Sequence, residues 1–239
     1  RKKNYIKLGE TSPVFKVMGE GREGVDQSIL STGLFEAIDR GLKEIRWYDK
    51  KEKYKKLNER SAIKYGLGMA AMMQGSGIAE IDMGSATIKM NEDGSFNLSL
   101  GATDIGTGSD TILAQIAAET LGVELSDIIV YSSDTDLTPF DVGAYASSTT
   151  FVSGGAVKKT AEKVKEIIIN DASKILNEPA DKLRVENKYV VSESGKKVSF
   201  KEIANTSLYY HDQHQIIASA SHYGRTSPPP FAAHFVELA

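Results

Sequence analysis

One stretch of this sequence, residues 100–157, constrains the fold more than any other. It contains two turns rich in small residues, at 106–109 and 146–150, and each turn leads directly into a helical pattern. The first residues of a helix expose unpaired N–H groups and about half a positive charge, so they can hold an anion. No lysine or arginine lies between the two turns. We therefore predict that backbone amides of both turns grip an anion.

Helical periodicity of apolar residues predicts the helices. One covers 110–121 and stops at Gly122, and a longer one covers 150–176. Gly154 and Gly155 lie in the first turns of the longer helix, and each lowers its helix propensity by about 1 kcal/mol. Such a cost is tolerable where a backbone or a ligand must approach closely. Shorter helices are predicted at 33–42, capped by Ser31 or Thr32, and at 201–209.

Alternating and β-branched runs predict the strands. The strongest signal is a hairpin in which runs at 86–90 and 95–100 are joined by a short turn containing Asp93-Gly94. A second hairpin is predicted to turn at Asn187, and residues 219–230, rich in Ser, Gly and Pro, are predicted to be a loop. Further strands are predicted at 65–73, which is expected to be buried, and at 128–131, 182–186, 188–191, 197–200 and 231–238. These elements predict an α+β fold of mixed sheets with packed helices.

Composition excludes several classes of function. The chain has 239 residues, a formal net charge of −3 and no cysteine. It therefore has no disulfide, no thiolate nucleophile and no iron–sulfur cluster or zinc held by its own cysteines. The charge argues against nucleic-acid binding, and no run approaches the ~18 apolar residues of a membrane span. We expect no nucleic-acid partner, no membrane span and a cytoplasmic setting.

The two ends of the sequence are unusual. It begins at Arg1 without a methionine, and the strand-like run 231–238 stops one residue before the last. A strand that ends unpaired is an edge liability, so we expect a fragment, a processed product or one piece of a larger assembly.

Four further motifs admit more than one interpretation. Residues 106–108, Gly-Thr-Gly, form either a tight turn or a ligand contact; the stretch lacks the Gly-Lys-Ser/Thr of a phosphate loop, and the third glycine and later parallel strand of a dinucleotide site. Residues 144–150 offer four hydroxyls at a helix entry, more than one N-cap needs. The aspartates in 134–141 favour turns and caps over a cation site, and the His-x-x-His at 211–214 is a weak zinc motif without a third ligand.

Taken together, the motifs resemble the molybdopterin-binding part of the xanthine dehydrogenase and aldehyde oxidase family of molybdenum hydroxylases. They are collinear and cover nearly the whole chain. The segments that carry the resemblance are 1–4 with Gly9-Glu10, 93–95, 101–108 with 117–122, 134–136 with 138–139, 145–156 and 229–235.

The resemblance implies a division of the chain and a set of cofactor contacts. Residues 1–62 would be a helical linker at the end of a first cofactor-binding region, and 63–239 a second, C-terminally incomplete molybdopterin-binding domain. The family usually has glutamine where this chain has the shorter Thr107. The residues that would contact the cofactor are Ile105, Gly106, Thr107, Gly108, Ala146, Ser147, Ser148 and Thr149.

The resemblance also implies a reaction and its partners. The cofactor would be molybdopterin, as the cytosine dinucleotide, with molybdenum, and the reaction oxidative hydroxylation of a purine, another N-heterocycle or an aldehyde with water. Electrons would pass to [2Fe–2S] clusters and FAD in partner chains or domains. The base glutamate and a first pterin-contacting loop would lie outside this chain, so no catalytic residue is predicted within it and the isolated chain should be inactive. The alternative is a non-catalytic pterin-binding, nucleotide-binding or partner-binding module.

Overall fold

The computed structural model describes residues 2–17, 21, 23–210 and 212–239. The α-helices are α1 (Pro13–Val17), α2 (Leu34–Glu44), α3 (Trp47–Arg60), α4 (Ser109–Leu121), α5 (Thr149–Leu176) and α6 (Phe200–Tyr209). The strands are β1 (Gly66–Met73), β2 (Met83–Met90), β3 (Phe96–Leu100), β4 (Ile128–Ser132), β5 (Leu183–Glu186), β6 (Tyr189–Ser192), β7 (Lys197–Ser199), β8 (Ile217–Tyr223) and β9 (Phe231–Leu238). The predicted α+β fold of mixed sheets and packed helices is confirmed.

The chain forms two compact units. The first comprises the described residues up to Ser76 together with Thr226–Ala239, and the second is Gly77–Arg225. The sequence-based division at residue 62 separates two cofactor-binding regions of the family rather than two compact units. It differs from these limits and stays a prediction. Within the described residues, no helix is both long enough and apolar enough to cross a membrane.

The first unit is built around an antiparallel ribbon of β1 and β9. The two strands pair from Gly66↔Leu238 to Met73↔Phe231, so the expectation of an unpaired final strand is wrong. The expectation that 65–73 is buried is also wrong, because exposed positions alternate with half-buried ones along β1. A two-stranded ribbon has few neighbours, and small apolar side chains alone do not bury a strand.

Two helices accompany this ribbon. Helix α2 packs against β9 at Gly41, where a Cβ would lie 2.1 Å from a ring carbon of Phe235. The helix begins after Gly33 rather than at Ser31 or Thr32, although Thr32 Oγ1 still accepts the N–H of Leu34 at 3.3 Å. Helix α3 has no buried residue, which agrees with its mixed-charge sequence.

The second unit packs a four-stranded sheet of order β4-β3-β2-β8 against helices α4 and α5. Strands β2 and β3 form the predicted hairpin, and their buried and half-buried positions alternate along each strand. The buried face meets apolar residues of both helices in one core. Among the largest fully buried side chains of the described residues, seven lie on these strands and helices and belong to this core: Ile88, Phe96, Leu98, Leu100, Leu113, Leu121 and Ile168. Each contributes about 1.5–3 kcal/mol by burial.

Two of the sequence-based expectations fail in this sheet. Strand β4 pairs parallel to β3, so a later parallel strand does follow the Gly-Thr-Gly motif, although a parallel strand with a terminal acid was expected to be missing; β4 itself ends at Ser132, which is not an acid. Residues 217–223 form β8, although 219–230 was predicted to be a loop. Strand β8 is stabilised by cross-strand hydroxyl pairs with β2, Ser219 with Thr87 at 2.7 Å and Ser221 with Ser85 at 2.8 Å. Serine has low strand propensity, so only the pairing partner makes this segment a strand.

Helix α5 is the longest element, at 28 residues. At 1.5 Å per residue it is about 42 Å long. The predicted inward positions from Val152 to Ile168 are buried or half-buried, but Ile175 is exposed. A small antiparallel sheet of β5, β6 and β7 and the helix α6 complete the unit, with Ser199 and Glu202 forming a capping box at the start of α6.

His214 fastens the segment after α6 to α5. Its Nε2 lies 2.9 Å from Oδ2 of Asp171, and its Nδ1 lies 2.8 Å from the carbonyl oxygen of Asp212. Both partners are acceptors, so the protonated imidazole, which carries hydrogen on both ring nitrogens, can donate to both of them. The acceptor at Asp212, helped by the Asp171 charge and opposed by burial and by Lys174, raises the pKa of His214 above its ordinary value of 6.5.

This pair makes stability depend on pH. Because the folded-state pKa is raised, the stabilisation is fully present below about pH 6.5 and is lost as the pH rises through the folded-state pKa. We expect the difference in free energy of unfolding between wild type and His214→Gln to be larger at roughly pH 5.5 than at roughly pH 8.5. Urea unfolding of both proteins measures it, and the difference cancels the contribution of His222, whose pKa burial lowers. A difference independent of pH would contradict the assignment.

Candidate functional site

The two segments predicted from the sequence meet at one cleft of about 360 Å³. We call it the α4–α5 cleft, because the starts of these two helices form its walls. One wall consists of Ile105, Thr107, Ser109 and Ile112, and the other of residues 144–150. Of the predicted contacts, Ile105, Thr107, Ala146, Ser147, Ser148 and Thr149 line the cleft, whereas Gly106 and Gly108 do not.

In the turn before α4, the backbone N–H groups are already bonded to a carboxylate of the protein itself, that of Asp104. Oδ1 of Asp104 accepts the N–H groups of Gly106 at 2.8 Å, Thr107 at 2.9 Å and Gly108 at 3.2 Å. These donors, Gly106 foremost, lower the pKa of Asp104. The expectation of free amides is therefore wrong for residues 106–108 of this turn, because a nearby aspartate uses them, whereas none of the described residues supplies an acceptor for the N–H groups of Ser109 and Thr111 in the first turn of α4. The sequence signal was an aspartate two residues before a glycine, the pattern of an Asx-turn.

The turn before α5 is different, because it leaves amides available. Ala146 and Ser147 adopt φ angles of 50° and 55°, in the left-handed region. Ser148 turns inward and donates its Oγ–H to the carbonyl oxygen of Tyr145 at 2.9 Å. Helix geometry gives the N–H groups of residues 149–151 no acceptor within the helix, and none of the described residues supplies one. These three amides and the hydroxyls of Ser147, Thr149 and Thr150 are the polar groups that this side offers a ligand.

A buried hydroxyl in the cleft lacks a partner. Ser109 is 4% exposed and lines the cleft, and its Oγ meets no donor or acceptor among the described residues. Buried polar atoms are rarely left unpaired, so this one calls for an explanation, and a ligand in the cleft supplies one. Ser109 and Ile112 were not among the predicted contacts. Their spacing of three residues places both on the same face of α4, which the helical pattern could have indicated.

The cleft contains no formal positive charge among its described lining residues, as the sequence indicated. Ile105 and Tyr145 are both exposed and provide apolar surface. The cleft therefore combines apolar walls with backbone N–H and hydroxyl groups on the α5 side. This combination suits a ligand that has a flat organic part and an anionic part.

Two glycines allow α5 to pack closely against α4 and β8. A Cβ on Gly154 would lie 2.9 Å from Cδ1 of Ile116 on α4, and a Cβ on Gly155 would lie 2.2 Å from Cδ2 of His222 on β8. These two close contacts explain why α5 contains two glycines, although glycine lowers helix propensity. His222 also meets the ring of Phe151 edge-on, with 6.2 Å between the ring centroids.

The other candidate sites are accounted for by local structure. Oδ1 of Asp134 accepts the N–H groups of Asp136 and Leu137 at 2.9 and 3.2 Å. Oδ1 and Oδ2 of Asp141 accept the N–H of Gly143 at 2.9 Å and the Oγ–H of Ser153 at 2.6 Å. The turn and cap roles predicted for this loop are thus confirmed for both residues. His214 pairs with Asp171, and His211, the other half of the His-x-x-His motif, lies outside the described residues.

Comparison with known families identifies this architecture. Residues 40–239 match the model of the molybdopterin cofactor-binding domain. The chain belongs to this family. The resemblance found in the sequence motifs is confirmed.

Curated relatives agree with this membership. The chain is 32% identical to the putative xanthine dehydrogenase molybdenum-binding subunit XdhA of Escherichia coli K12, over 100% of its own length and 31% of that protein. It is 33% identical to the probable hypoxanthine oxidase XdhD of the same strain, over 99% of its length and 24% of that protein. It thus spans between a quarter and a third of these two relatives.

Solved structures share the fold of this chain. Quinoline 2-oxidoreductase from Pseudomonas putida 86 aligns with a TM-score of 0.76 and 22% identity, over 90% of this chain and 29% of that one. The CO dehydrogenase of Oligotropha carboxidovorans aligns with a TM-score of 0.77 and 21% identity, over 99% and 31% of the two chains. At these identities the likeness shows the fold.

The contact between Gly155 and His222 gives a test of how α5 is placed. We expect Gly155→Ala to lower the free energy of unfolding by roughly 1–3 kcal/mol, because its methyl group meets an imidazole packed against the helix backbone. Gly154→Ala is the matched control in the same helical turn. Its methyl meets only the flexible end of Ile116 and adds helix propensity, so its effect should stay within about 1 kcal/mol of zero. Urea unfolding measures both, and equal losses would contradict this account.

Proposed function

We propose that this chain is the molybdenum cofactor-holding component of a hydroxylase and that the α4–α5 cleft contacts molybdopterin. The observation that carries the proposal is the meeting of both predicted segments in one cleft that contains the unpaired Ser109 hydroxyl. The chain's family membership supports molybdopterin as the ligand that we propose for that cleft. The cytosine dinucleotide form of the cofactor is part of the proposal.

Different residues of the cleft would contact different parts of the cofactor. Amides 149–151 and the positive end of the α5 dipole would bind phosphate oxygens, with the hydroxyls of Ser147 and Thr149 beside them. Ile105 and Tyr145 would flank the flat ring system, and Ser109 Oγ would supply a hydrogen bond from the α4 side. Gly106 and Gly108 would act through the shape of their turn, because Asp104 occupies their amides. Thr107, shorter than the family's usual glutamine, would contribute its hydroxyl.

The cofactor would supply the redox chemistry, and the chain would bind and orient it. The substrate class that we propose is a purine, another N-heterocycle or an aldehyde, with hydroxylation by water. The names of the relatives, a xanthine dehydrogenase subunit and a hypoxanthine oxidase, support the purine option. The proposal includes a base glutamate outside this chain, [2Fe–2S] and FAD partners, and a cytoplasmic setting.

Metal and nucleotide analysis tests the proposal. The chain should be purified in its native complex from molybdate-supplied cells, and then denatured. We expect molybdenum by mass spectrometry and a cytidine nucleotide in the released fraction. Finding neither metal nor nucleotide would overturn the proposal in favour of a non-catalytic, partner-binding module.

A substitution at Ser147 tests the position of the site. Ser147 is exposed and faces the cleft, so we expect Ser147→Trp to fill the space that the cofactor needs and to abolish molybdenum loading. Ser133→Trp is the matched control, because Ser133 is also an exposed serine with a positive φ, of 64°, but lies outside the cleft. Both variants should melt at similar temperatures. Unchanged molybdenum content in Ser147→Trp would rule out this cleft as the contact.

A further inference from the structure

A buried carboxylate lies behind the α4–α5 cleft. Asp82 directly precedes β2 and is 0% exposed. Its Oδ1 accepts the hydroxyl hydrogen of Tyr145 at 2.5 Å, and its Oδ2 accepts the N–H of Ile78 at 2.7 Å. Neither donor is charged. Burying a carboxylate with neutral donors is costly, so its hydrogen bonds matter more than those of a surface pair.

Tyr145 joins this carboxylate to the cleft. Its ring lines the cleft, whereas its hydroxyl points back to Asp82. Its carbonyl oxygen accepts both the N–H and the Oγ–H of Ser148, at 3.1 and 2.9 Å, which fixes the N-cap of α5. One side chain therefore connects the cleft wall, the helix start and the buried acid.

The residues between these anchors are strained. Ala146 and Ser147 are consecutive non-glycine residues with positive φ, a conformation that a side chain disfavours. Strained conformations persist only where the surroundings over-determine them. Here the carbonyl oxygen of Ala146 accepts the N–H of Gly77 at 2.8 Å, so the turn is held from a second point next to Asp82.

We propose that Asp82 is a positioning residue of this site. Through the hydroxyl of Tyr145, it holds Ala146 and Ser147 in the left-handed conformation that presents the α5 amides and the Ser147 hydroxyl to the cleft. Asp82 does not line the cleft itself, so its effect passes through Tyr145. The inference rests on the proposed function for the ligand concerned, but the conformational claim can be measured without any ligand.

Tyr145→Phe is the variant that tests it, because it removes only the hydroxyl. Tyr131→Phe is the matched control: its hydroxyl also lies 2.5 Å from a carboxylate oxygen, of Asp134, on an exposed strand outside the cleft. Within residues 145–150, amide hydrogen exchange of the full chain is followed at Tyr145 and Ser148, whose N–H groups are bonded to the carbonyl oxygens of Gly143 and Tyr145, and this gives the first readout. We expect exchange at least about tenfold faster in Tyr145→Phe and unchanged in Tyr131→Phe, the factor that corresponds to losing one hydrogen bond to a charged group. Exchange in β2 and the centre of α5 should stay at the wild-type level in both.

Molybdenum bound per chain in the native complex gives the second readout. We expect it to fall in Tyr145→Phe and to match wild type in Tyr131→Phe. Unchanged exchange at 145–150, or faster exchange with full molybdenum content, would overturn the positioning role. A wild-type protein that holds neither molybdenum nor nucleotide would instead overturn the proposed function, while the exchange experiment would still decide whether Asp82 fixes the turn.

Discussion

The position of α5 depends on close contacts at two adjacent glycines, of which Gly155, against His222, is the one where only glycine fits. Ile116 of α4 and His222 of β8 lie so near the backbone at Gly154 and Gly155 that a Cβ at either residue would meet them at 2.9 Å or less. A long helix pressed this tightly between a second helix and a sheet cannot slide or turn without leaving the core. The starts of α4 and α5 are thereby brought to the same place, and the α4–α5 cleft exists because they are.

The parts of the fold that follow a period could be predicted from the sequence. The β2–β3 hairpin, the helices α4 and α5 and the turn at Asn187 all have local signals, namely alternation, helical spacing and residues that tolerate positive φ. Strand β8 could not be predicted, because its serines favour a strand only when the hydroxyls of Ser85 and Thr87 are opposite them. The parallel pairing of β4 with β3 could not be predicted either, because pairing depends on two segments that are distant in the sequence.

The candidate site shows the same limit. The sequence identified the two turns, and the structure brings them together. The sequence alone did not show which turn has backbone amides without an acceptor. That depends on Asp104, whose carboxylate accepts the N–H groups of residues 106–108, and on the lack of such a neighbour at residues 149–151. Asp82 was missed altogether, because its role depends on a contact with Tyr145 across 63 residues.

The carboxylate of Asp104 has a consequence for how the site forms. If an anionic ligand were needed to order this turn, the turn would be disordered in the unbound protein. Binding would then have to overcome the entropy lost in ordering its three residues. This turn contains its own anion, so its conformation is set when the chain folds and does not depend on any ligand concentration. The two turns therefore differ: the turn before α4 has its conformation fixed before anything binds, whereas the turn before α5 leads into backbone N–H groups that have no acceptor among the described residues.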